Sequence, residues 1–376
     1  LVSDWSSDVC SSDLATTLKI AAVSAAQGSS DVINLDIRVA GATVSKQGAA
    51  PARAQDMSVN VALSSLADQR GVLNTSAATA DIRGDLPVIP VPLLDVFARQ
   101  DGLLTEALGP VAQATIRASQ LSRTGGTLDV RARSPRASAS IQGSIADEVF
   151  VTTQPLNVTV TQVSPELTRR LLKGVPLVGA IEKTPQDKPA TVVGTNLRIP
   201  MQGDMSKLNG KVVVDPGEAT FLVGGDFGGI LKAIHQRNAG RAGQRLEPLT
   251  VDIASGVATY ERWSLPLGEF LVRTEGTVNL VTRTLDVVTW LPVGALTDEA
   301  IGLFKVGGGL SSILGGRDQE VFGVSTLLPW RTRGTFDNNR TQPDLELFAK
   351  EFVRQIRPDD LIKRGIEDLI KRPERK

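Results

Sequence analysis

The chain has little of the side-chain chemistry that enzymes and metal sites use. Among 376 residues it contains one cysteine, Cys10, and one histidine, His235. A lone histidine cannot form a multi-histidine metal site, and neither the G-x-S-x-G nor the H-E-x-x-H pattern occurs. The glycine clusters lack the Lys-Ser/Thr ending of a phosphate-binding loop, and the paired acids lie in polar segments typical of solvated surface. The sequence therefore predicts a protein that is not an enzyme and that holds no cofactor and no metal ion.

Charge and hydropathy exclude further classes of protein. Lys plus Arg and Asp plus Glu both number 41, so the chain has no net charge that would attract nucleic acid. Aromatic residues make up 4% of the chain and do not interleave with basic residues as they do in single-strand binders. No apolar run reaches the roughly 18 to 20 residues that span a bilayer. The amino end also lacks the pattern of a signal peptide. We therefore expect no nucleic-acid partner.

The amino end has a separate interpretation. The chain starts at Leu1 instead of a methionine, and residues 1–14 are similar to translated sequencing-adapter sequence. We expect this segment to be an artefact and the chain to be a fragment of a longer protein. Cys10 lies in the segment, so without it no disulfide and no cysteine-based zinc site remains to be considered.

Alternating apolar residues are what the chain has in quantity, most clearly over residues 249–291. Apolar side chains at every second position lie on one face of a β-sheet, and turn residues such as Ser255 and Gly256 separate the runs. Gly276 is expected near a further change of direction. These runs predict a sheet with one aliphatic face. The candidate lining residues of that face are Val251, Ile253, Val257, Leu265, Leu267, Val272, Val278, Leu280, Leu285 and Val287.

Short helices interrupt the strands in the rest of the chain. Pro87 and Pro90 argue against a central strand, because proline cannot donate to a β-ladder. Pro92 is expected to open a helix that Gly102 breaks and Gly109 ends. Further helices are predicted over residues 165–173 with Ser164 as the N-cap, over 227–237, over 301–306, and from Phe348 onward.

Together these patterns predict a mainly β protein. The expected architecture is a long curved antiparallel sheet, either an open groove or a sheet folded over on itself, with a few short amphipathic helices and a C-terminal helical tail. Four segments are predicted. They are residues 1–14, the adapter-like artefact; 15–245, a β-rich region with short helices; 246–347, a C-terminal β region; and 348–376, an amphipathic helical tail.

Short motifs in the C-terminal β region resemble those of AsmA-like proteins. The matching stretches are 252–257, Gly276-Thr277-Val278-Asn279-Leu280, Thr284-Leu285-Asp286, and a closing pattern of Pro329, Gly334-Thr335-Phe336-Asp337 and Pro343. Residues 338–342 lengthen the usual spacing between the aspartate and the proline of the closing pattern. The resemblance is firmest over residues 224–347 and looser over 81–181. It identifies segment 246–347 as an AsmA-like C-terminal region.

The resemblance implies a location and a function. AsmA-like and related bridge-like proteins are anchored in the inner membrane of diderm bacteria and project into the periplasm. Their long apolar sheets are thought to carry phospholipid acyl chains toward the outer membrane. The chain is therefore expected to act in lipid transport or outer-membrane biogenesis, with phospholipid as its partner. The membrane helix usual at the family's amino end is not in this sequence, so an inner-membrane anchor would have to come from a missing N-terminal segment.

A second interpretation stays open at this stage. A sheet with one apolar face needs a second sheet, helices or a ligand to cover that face. If the sheet packs dry, the chain is a structural or scaffold β-protein that binds a protein partner through its helical tail. The tail itself is expected either to contact a membrane or an envelope protein, or to pack across the end of the sheet.

Overall fold

A computed structural model describes most of the chain. The described residues are 18–23, 32–39, 43–44, 52–53, 57–65, 77–98, 101–171, 177–224, 244–267, 270–292, 327–336 and 338–355. They form one antiparallel sheet of 17 strands, a sheet of three short strands, a two-stranded pair and a few short helices. The prediction of a mainly β protein built on one long antiparallel sheet is confirmed.

The strands follow the runs of alternating apolar and β-branched residues, which suit a pleated backbone. In chain order they are β1 (Leu18–Val23), β2 (Val32–Val39), β3 (Thr43–Val44), β4 (Ala52–Arg53), β5 (Met57–Ser64), β6 (Thr79–Pro90), β7 (Val111–Leu121), β8 (Gly125–Arg133), β9 (Ala137–Ala146), β10 (Val149–Thr152), β11 (Leu156–Val160), β12 (Leu177–Glu182), β13 (Ala190–Pro200), β14 (Asn209–Asp215), β15 (Glu218–Gly224), β16 (Gln244–Arg245), β17 (Leu249–Ala254), β18 (Val257–Leu267), β19 (Phe270–Asn279), β20 (Thr284–Pro292), β21 (Leu327–Thr335) and β22 (Asn339–Pro343). β3 pairs with β4, β12 with β15 and β15 with β16; the other strands form the large sheet.

The large sheet is a meander in which each strand pairs with the next sheet strand along the chain, except that β10 and β11 do not pair with each other. Its pairings are antiparallel throughout, and β10 and β11 share the place between β9 and β13. Strands before and after residues 245 and 246 belong to the same sheet, because β14 pairs with β17. The sheet thus has two continuous faces. It also has two long sides formed by the strand ends and the turns between them, which we call its edges.

The α-helices in the described ranges lie at one of these edges. α1 (Val91–Ala98) and α2 (Leu103–Leu108) join β6 to β7, α3 (Pro165–Leu171) precedes β12, and α4 (Leu345–Gln355) follows β22. The three-stranded sheet and the β3–β4 pair are inserted at the same edge. We call it the insertion edge. Its strand ends are Pro90, Val160, Asp215, Pro292 and Pro343.

Many of the buried apolar side chains lie toward the insertion edge. Among them are Val91, Ala112, Leu167, Ala219, Leu246, Leu265, Val272, Leu291, Leu328, Trp330 and Phe348. A smaller buried group, Ile145, Val149, Phe150 and Leu197, lies around β10 toward the opposite edge. The apolar core is therefore asymmetric, and most of it lies along the insertion edge.

The helix predictions are confirmed where the structure describes the residues. α1 and α2 occupy the segment predicted as one helix broken at Gly102, and the Ser164 hydroxyl caps α3 by accepting the Leu167 N–H at 3.1 Å. α4 begins at Leu345, earlier than predicted, because the Asp344 carboxylate caps it by accepting the Leu347 N–H at 2.9 Å. The helices predicted over 227–237 and 301–306, and the tail beyond residue 355, lie outside the described residues.

The expectation that Pro87 and Pro90 exclude a central strand holds for the segment that contains them, although that segment is the end of a strand, β6. Pro87 and Pro90 lie within β6, which pairs with β5 on one side and β7 on the other. The pairing with β5 stops at Asp85, so the proline segment has a ladder partner only in β7. Where a strand has a partner on one side only, its other side forms no ladder hydrogen bonds. A proline, which lacks the N–H donor, is tolerated there because no hydrogen bond is lost on that side.

Candidate functional site

The strand register joins the apolar positions into one continuous face. Directly opposed residues of an antiparallel pair lie on the same face, so the face can be followed from strand to strand. For example, Val59 pairs with Gly84, and Gly84 pairs with Ile116. We call the line of opposed residues along the centre of this face the middle row. Its members are Val59, Gly84, Ile116, Val130, Ile141, Leu156, Gly194, Val212, Val251, Tyr260, Gly276, Val287, Thr332 and Thr341.

The two faces of the sheet differ in chemistry along their length. Beside the middle row, the apolar face carries a parallel row of Leu86, Ala114, Ala132, Ala139, Val158, Val192, Val214 and Leu249. The corresponding row on the opposite face is Asn60, Arg83, Arg117, Asp129, Gln142, Thr195, Lys211, Asp252, Thr259, Thr277, Asp286, Arg333 and Arg340. The sheet is therefore amphipathic across its strands, with one polar and one apolar face.

From β5 to β17 the two glycines of the middle row, Gly84 and Gly194, are buried, and its larger side chains are half-buried. These larger side chains are Val59, Ile116, Val130, Ile141, Leu156, Val212 and Val251. In a closed sandwich, the centre of the inner face is the core between the two sheets and is the most buried part. Apolar residues nearer the insertion edge, such as Leu246, are fully buried. The result is a strip of accessible aliphatic surface along the middle of the face.

Most of the predicted lining residues lie on this face. Seven of them share it by register: Val251, Ile253, Leu265, Val272, Val278, Leu285 and Val287. Of these, Val251, Ile253 and Val278 are half-buried, and the other four are buried. Leu267 pairs with Phe270, a register position that belongs to the same face. Leu280 lies one residue beyond β19, where its N–H donates to the Gly256 carbonyl at 2.9 Å.

The assignment of Val257 to the apolar face is wrong. Val257 pairs with Ala254 on the polar face, and its neighbour Ala258 takes the apolar position. Only Ser255 and Gly256 separate the two strands, with φ of 50° and 75°. A two-residue hairpin needs such positive φ values and places the residues that flank it directly opposite each other. The alternation therefore changes phase at this turn.

The expectation for Gly276 is also wrong. Gly276 lies inside β19, opposite Val287, instead of at a change of direction. A Cβ atom at this position would lie 2.5 Å from the Asp286 carbonyl oxygen and 2.7 Å from the Val287 Cα. The close approach of β20 thus explains the glycine. On its other side, β18 has a register shift between Tyr260 and Trp263, which keeps both residues on the apolar face despite their odd spacing.

The amino-terminal part of the strip could not be assigned from the sequence. Val59, Ile116, Val130 and Ile141 stand in strands that the alternation predicts, yet the alternation alone does not say which face of which neighbour they share. The missing information was the register. The lengths of all the turns would supply much of it. The number of residues in a short hairpin turn fixes which residues of the second strand lie on the same face as a given residue of the first.

Five hydroxyl groups lie on the apolar face from β18 onward. They belong to Tyr260, Thr274, Thr289, Thr332 and Thr341. The Tyr260 and Thr274 hydroxyls lie 3.0 Å apart, and those of Thr332 and Thr341 lie 2.8 Å apart. Burial raises the pKa of Tyr260, and the hydrogen bond with Thr274 partly opposes this change. The Thr289 hydroxyl is fully buried and has no hydrogen-bond partner in the described part of the chain.

An ion-pair cluster occupies the polar face behind this section. The Arg331 guanidinium donates to both carboxylate oxygens of Asp286, at 2.7 and 2.8 Å, and Arg333 donates to the same carboxylate at 3.0 Å. Arg331 also reaches the Asp344 carboxylate at 3.3 Å. The hydrogen bond from Arg331 is the main reason that the pKa of Asp286 is lowered. The cluster holds β20, β21 and the start of α4 together and does not face the apolar strip.

Two buried charged side chains support the inserted elements. Asp95 of α1 accepts the N–H groups of Leu104 and Thr105 at 2.7 and 2.8 Å, and so caps α2. Lys183 donates from Nζ to the Lys188 carbonyl at 2.6 Å and to the Glu218 carbonyl. Burial lowers the pKa of Lys183. Because their partners are backbone groups and, for Asp95, also the Thr105 hydroxyl, both side chains serve structure.

The described residues hold no cluster of three or more His, Cys, Asp and Glu side chains placed to bind a metal ion. His235 and Cys10 lie outside them. Within the same ranges, no helix combines the length and the apolar character needed to cross a bilayer. Comparison with protein families, with characterised proteins and with solved structures finds no match to this chain. The likeness to AsmA-like proteins therefore stays a hypothesis that rests on the short motifs.

Proposed function

We propose that the chain is a non-enzymatic lipid-transport or outer-membrane-assembly protein that binds phospholipid acyl chains on the apolar face of its sheet. The observation that carries the proposal is the row of half-buried aliphatic side chains from Val59 to Val251, none of which is fully buried. Its members are aliphatic or glycine, and the register makes them contiguous over nine strand positions. A contiguous apolar surface of this kind is characteristic of a binding surface.

The physical driving force for such binding is hydrophobic. Moving hydrocarbon from water onto this strip is favourable by about 0.8 kcal/mol per buried methylene group. The row offers no side-chain hydrogen-bonding group before Tyr260. It therefore suits a hydrocarbon ligand, which forms no hydrogen bonds. Strands about 4.8 Å apart give the strip from β5 to β17 a length of roughly 40 Å. One leaflet of a bilayer has a hydrocarbon depth of about 15 Å, so the strip can hold more than one acyl chain end to end.

The cellular part of the proposal rests on the motif resemblance. AsmA-like proteins work in the periplasm from an inner-membrane anchor, and we propose the same location for this protein. Its proposed partners are phospholipid, the inner membrane through an upstream segment, and an envelope protein at the C-terminal tail. No side chain of the strip suggests a cofactor or a reaction.

Photocrosslinking tests the proposal directly. Benzoylphenylalanine replaces Val251 in the full chain, which is then irradiated with phosphatidylethanolamine vesicles and analysed by mass spectrometry. Thr250 is the matched control, because it is the adjacent residue of β17, is exposed, and lies on the polar face opposite Val213. We expect a lipid adduct at position 251 and none at 250. No adduct at 251, or equal adducts at both positions, would contradict the proposal.

A scaffold function is the second candidate, and a specific observation favours it. Leu265, Val272, Leu291 and Leu328 are at most 2% exposed, as a dry core requires. Phe348 of α4 is also 2% exposed, and α4 contacts β21. If the same dry packing governed the whole face in solution, the chain would act through its outer surface or its tail. The photocrosslinking result at position 251 separates the two functions.

A further inference from the structure

We infer that one group of inserted elements forms a flap that opens from the insertion edge as a unit, and that the Lys183 ammonium holds this flap closed. The group consists of α3, β12, β15 and β16, and we call it the insert. The inference does not depend on the proposed function. It rests on the way the insert is joined to the large sheet and on the buried charge at the junction.

The insert is built from two excursions of the chain between neighbouring strands of the large sheet. The chain leaves after β11 and returns at β13, and it leaves again after β14 and returns at β17. The strands of the insert pair with one another, and in the described ranges none of them pairs with a strand of the large sheet. Four crossing segments therefore join the insert to the large sheet, namely residues 161–164, 183–189, 216–217 and 246–248.

The four crossing segments meet in a narrow junction, which we call the neck. Val163 and Lys183 exchange backbone hydrogen bonds at 2.9 and 3.0 Å, which join the first segment to the second. The Glu218 N–H donates to the Lys188 carbonyl at 3.2 Å, which joins the second segment to the start of β15. The two excursions are thus held together by backbone hydrogen bonds at one place.

Gly217 brings the third crossing segment against the second and the fourth. It has a φ of 67°, and a Cβ atom there would lie 2.3 Å from the Lys188 carbonyl oxygen. The Leu246 N–H donates to the Gly217 carbonyl at 3.0 Å, and Leu246 itself is 0% exposed. Opening of this closely packed neck would expose an apolar side chain, so the closed form is the favoured one.

A buried ammonium bridges the two excursions at the neck. Lys183 is 2% exposed, and its Nζ donates to the Lys188 carbonyl at 2.6 Å and to the Glu218 carbonyl. Lys188 belongs to the first excursion and Glu218 to the second. The carboxylates of Asp187, Glu218 and Asp215 attract the ammonium. Hydrogen bonds from a charged donor are stronger than neutral ones, and opening of the neck breaks both of them. The ammonium therefore stabilises the closed form.

The insert is held together internally by more contacts than those of the neck. β12 and β15 form an antiparallel ladder, and α3 contacts β12. Beyond the neck, α3 reaches the segment between α1 and α2 through a hydrogen bond from Arg170 to the Asp101 carbonyl at 3.3 Å. This bond is exposed, so water can replace it. A unit with an extensive interior and a narrow attachment opens first at the attachment.

Hydrogen–deuterium exchange resolved to single amides tests the inference. In the native chain, the Val163, Lys183, Glu218 and Leu246 amides should exchange as one group, faster than the amides of the β12–β15 ladder. Lys183→Met should accelerate this group about tenfold or more, the factor expected when hydrogen bonds to a charged group are lost. The β12–β15 and β7–β8 ladders should exchange as in the native chain. Lys188→Met is the matched control, because Lys188 is exposed and lies in the same crossing segment.

The contrary results are distinct. Neck and β12–β15 amides that exchange at the same rate in the native chain would show that the insert does not open as a unit, which overturns the inference. Unchanged exchange at the neck in Lys183→Met, or equal acceleration in Lys188→Met, would overturn the role of the ammonium. If Lys183→Met does not fold, Lys183→Gln takes its place, since it keeps a donor and loses the charge. Acceleration confined to the neck in that variant supports the inference, and none overturns it.

Discussion

At the scale of single residues, the Asp286 carboxylate joins two strands on the polar face. It accepts two hydrogen bonds from Arg331 and one from Arg333, a geometry that is stronger than a single contact. The Asp286 side chain is 36% exposed, so solvent screens part of the interaction. Replacing Asp286 with Asn should lower the free energy of unfolding by about 1 kcal/mol. Urea denaturation measures the loss. Asp252→Asn is the control, because Asp252 is 68% exposed and lies 3.6 Å from Lys211.

The same carboxylate predicts a pH dependence. The pKa of Asp286 in the folded protein is lowered from its ordinary value of 3.8, first by the hydrogen bond from Arg331. A lowered folded-state pKa contributes stability that is fully present above the unfolded-state value and is lost as the pH falls through the folded-state value. The stability difference between the native protein and Asp286→Asn should therefore be constant near neutral pH and shrink below pH 3.8. A difference that persists unchanged in strong acid would show that the ion pair does not form in solution.

Two glycines of the middle row make a matched pair for substitution. A Cβ at Gly276 would lie 2.5 Å from a backbone oxygen, whereas a Cβ at Gly84 would meet Val59 Cγ2 at 3.5 Å, an ordinary contact. Gly276→Ala should destabilise the protein by about 2 kcal/mol or more through backbone strain. Gly84→Ala should be neutral or slightly stabilising, because alanine restricts the unfolded chain. Thermal or urea denaturation of the two variants compares them. Equal effects would mean that β19 and β20 are not as close as the structure shows.

At the scale of elements, the α1–α2 unit depends on one buried carboxylate. Asp95 is 5% exposed and caps α2 through the Leu104 and Thr105 N–H groups. Asp95→Asn keeps the size but loses the charge and one acceptor oxygen. We expect a loss of about 1–3 kcal/mol in unfolding free energy. Faster hydrogen exchange at the two amides should accompany the loss.

The control for this element is Asp204→Asn. Asp204 also accepts a backbone N–H, that of Ser206 at 3.2 Å, but it is exposed at the opposite edge of the sheet. Its replacement should cost much less than that of Asp95. If both variants lost the same stability, burial would not be what makes Asp95 important.

Some elements could be predicted from local sequence and others could not. The α3 helix was predictable because Ser164 and the proline that follows it form a local N-terminal signal. The strand position of Pro87 and Pro90 was not predictable, because it depends on where the partner β5 stops. That is a property of two segments, so it cannot be read from the sequence of either segment alone.

At the scale of the whole molecule, the open strip and a dry core predict different outcomes for one substitution. Val251→Arg places a charge on the middle row, and Thr250→Arg places it on the polar face of the same strand. On an accessible strip the arginine head group reaches water, so we expect Val251→Arg to cost about 1 kcal/mol or less and to abolish lipid capture. In a dry core the same change would cost several kcal/mol, since a buried charge without a partner is strongly unfavourable.

Two measurements on the same samples check this prediction. Urea denaturation gives the stability of Val251→Arg relative to Thr250→Arg, and retention of phosphatidylethanolamine after gel filtration gives lipid capture. Loss of capture with near-normal stability supports the strip. A variant that unfolds while Thr250→Arg stays folded supports the dry core.

The sequence by itself determined that the protein is mainly β and that its strands have one apolar side, because alternation at a period of two is a local property of each strand. It also placed most of the C-terminal lining residues on a common face. Only the tertiary structure decided how the strands are phased against one another. Val257 lies on the polar face because of a two-residue turn, and Trp263 stays on the apolar face because of a register shift in β18. Register arises from contacts between distant segments, so it alone turned separate apolar strands into one strip.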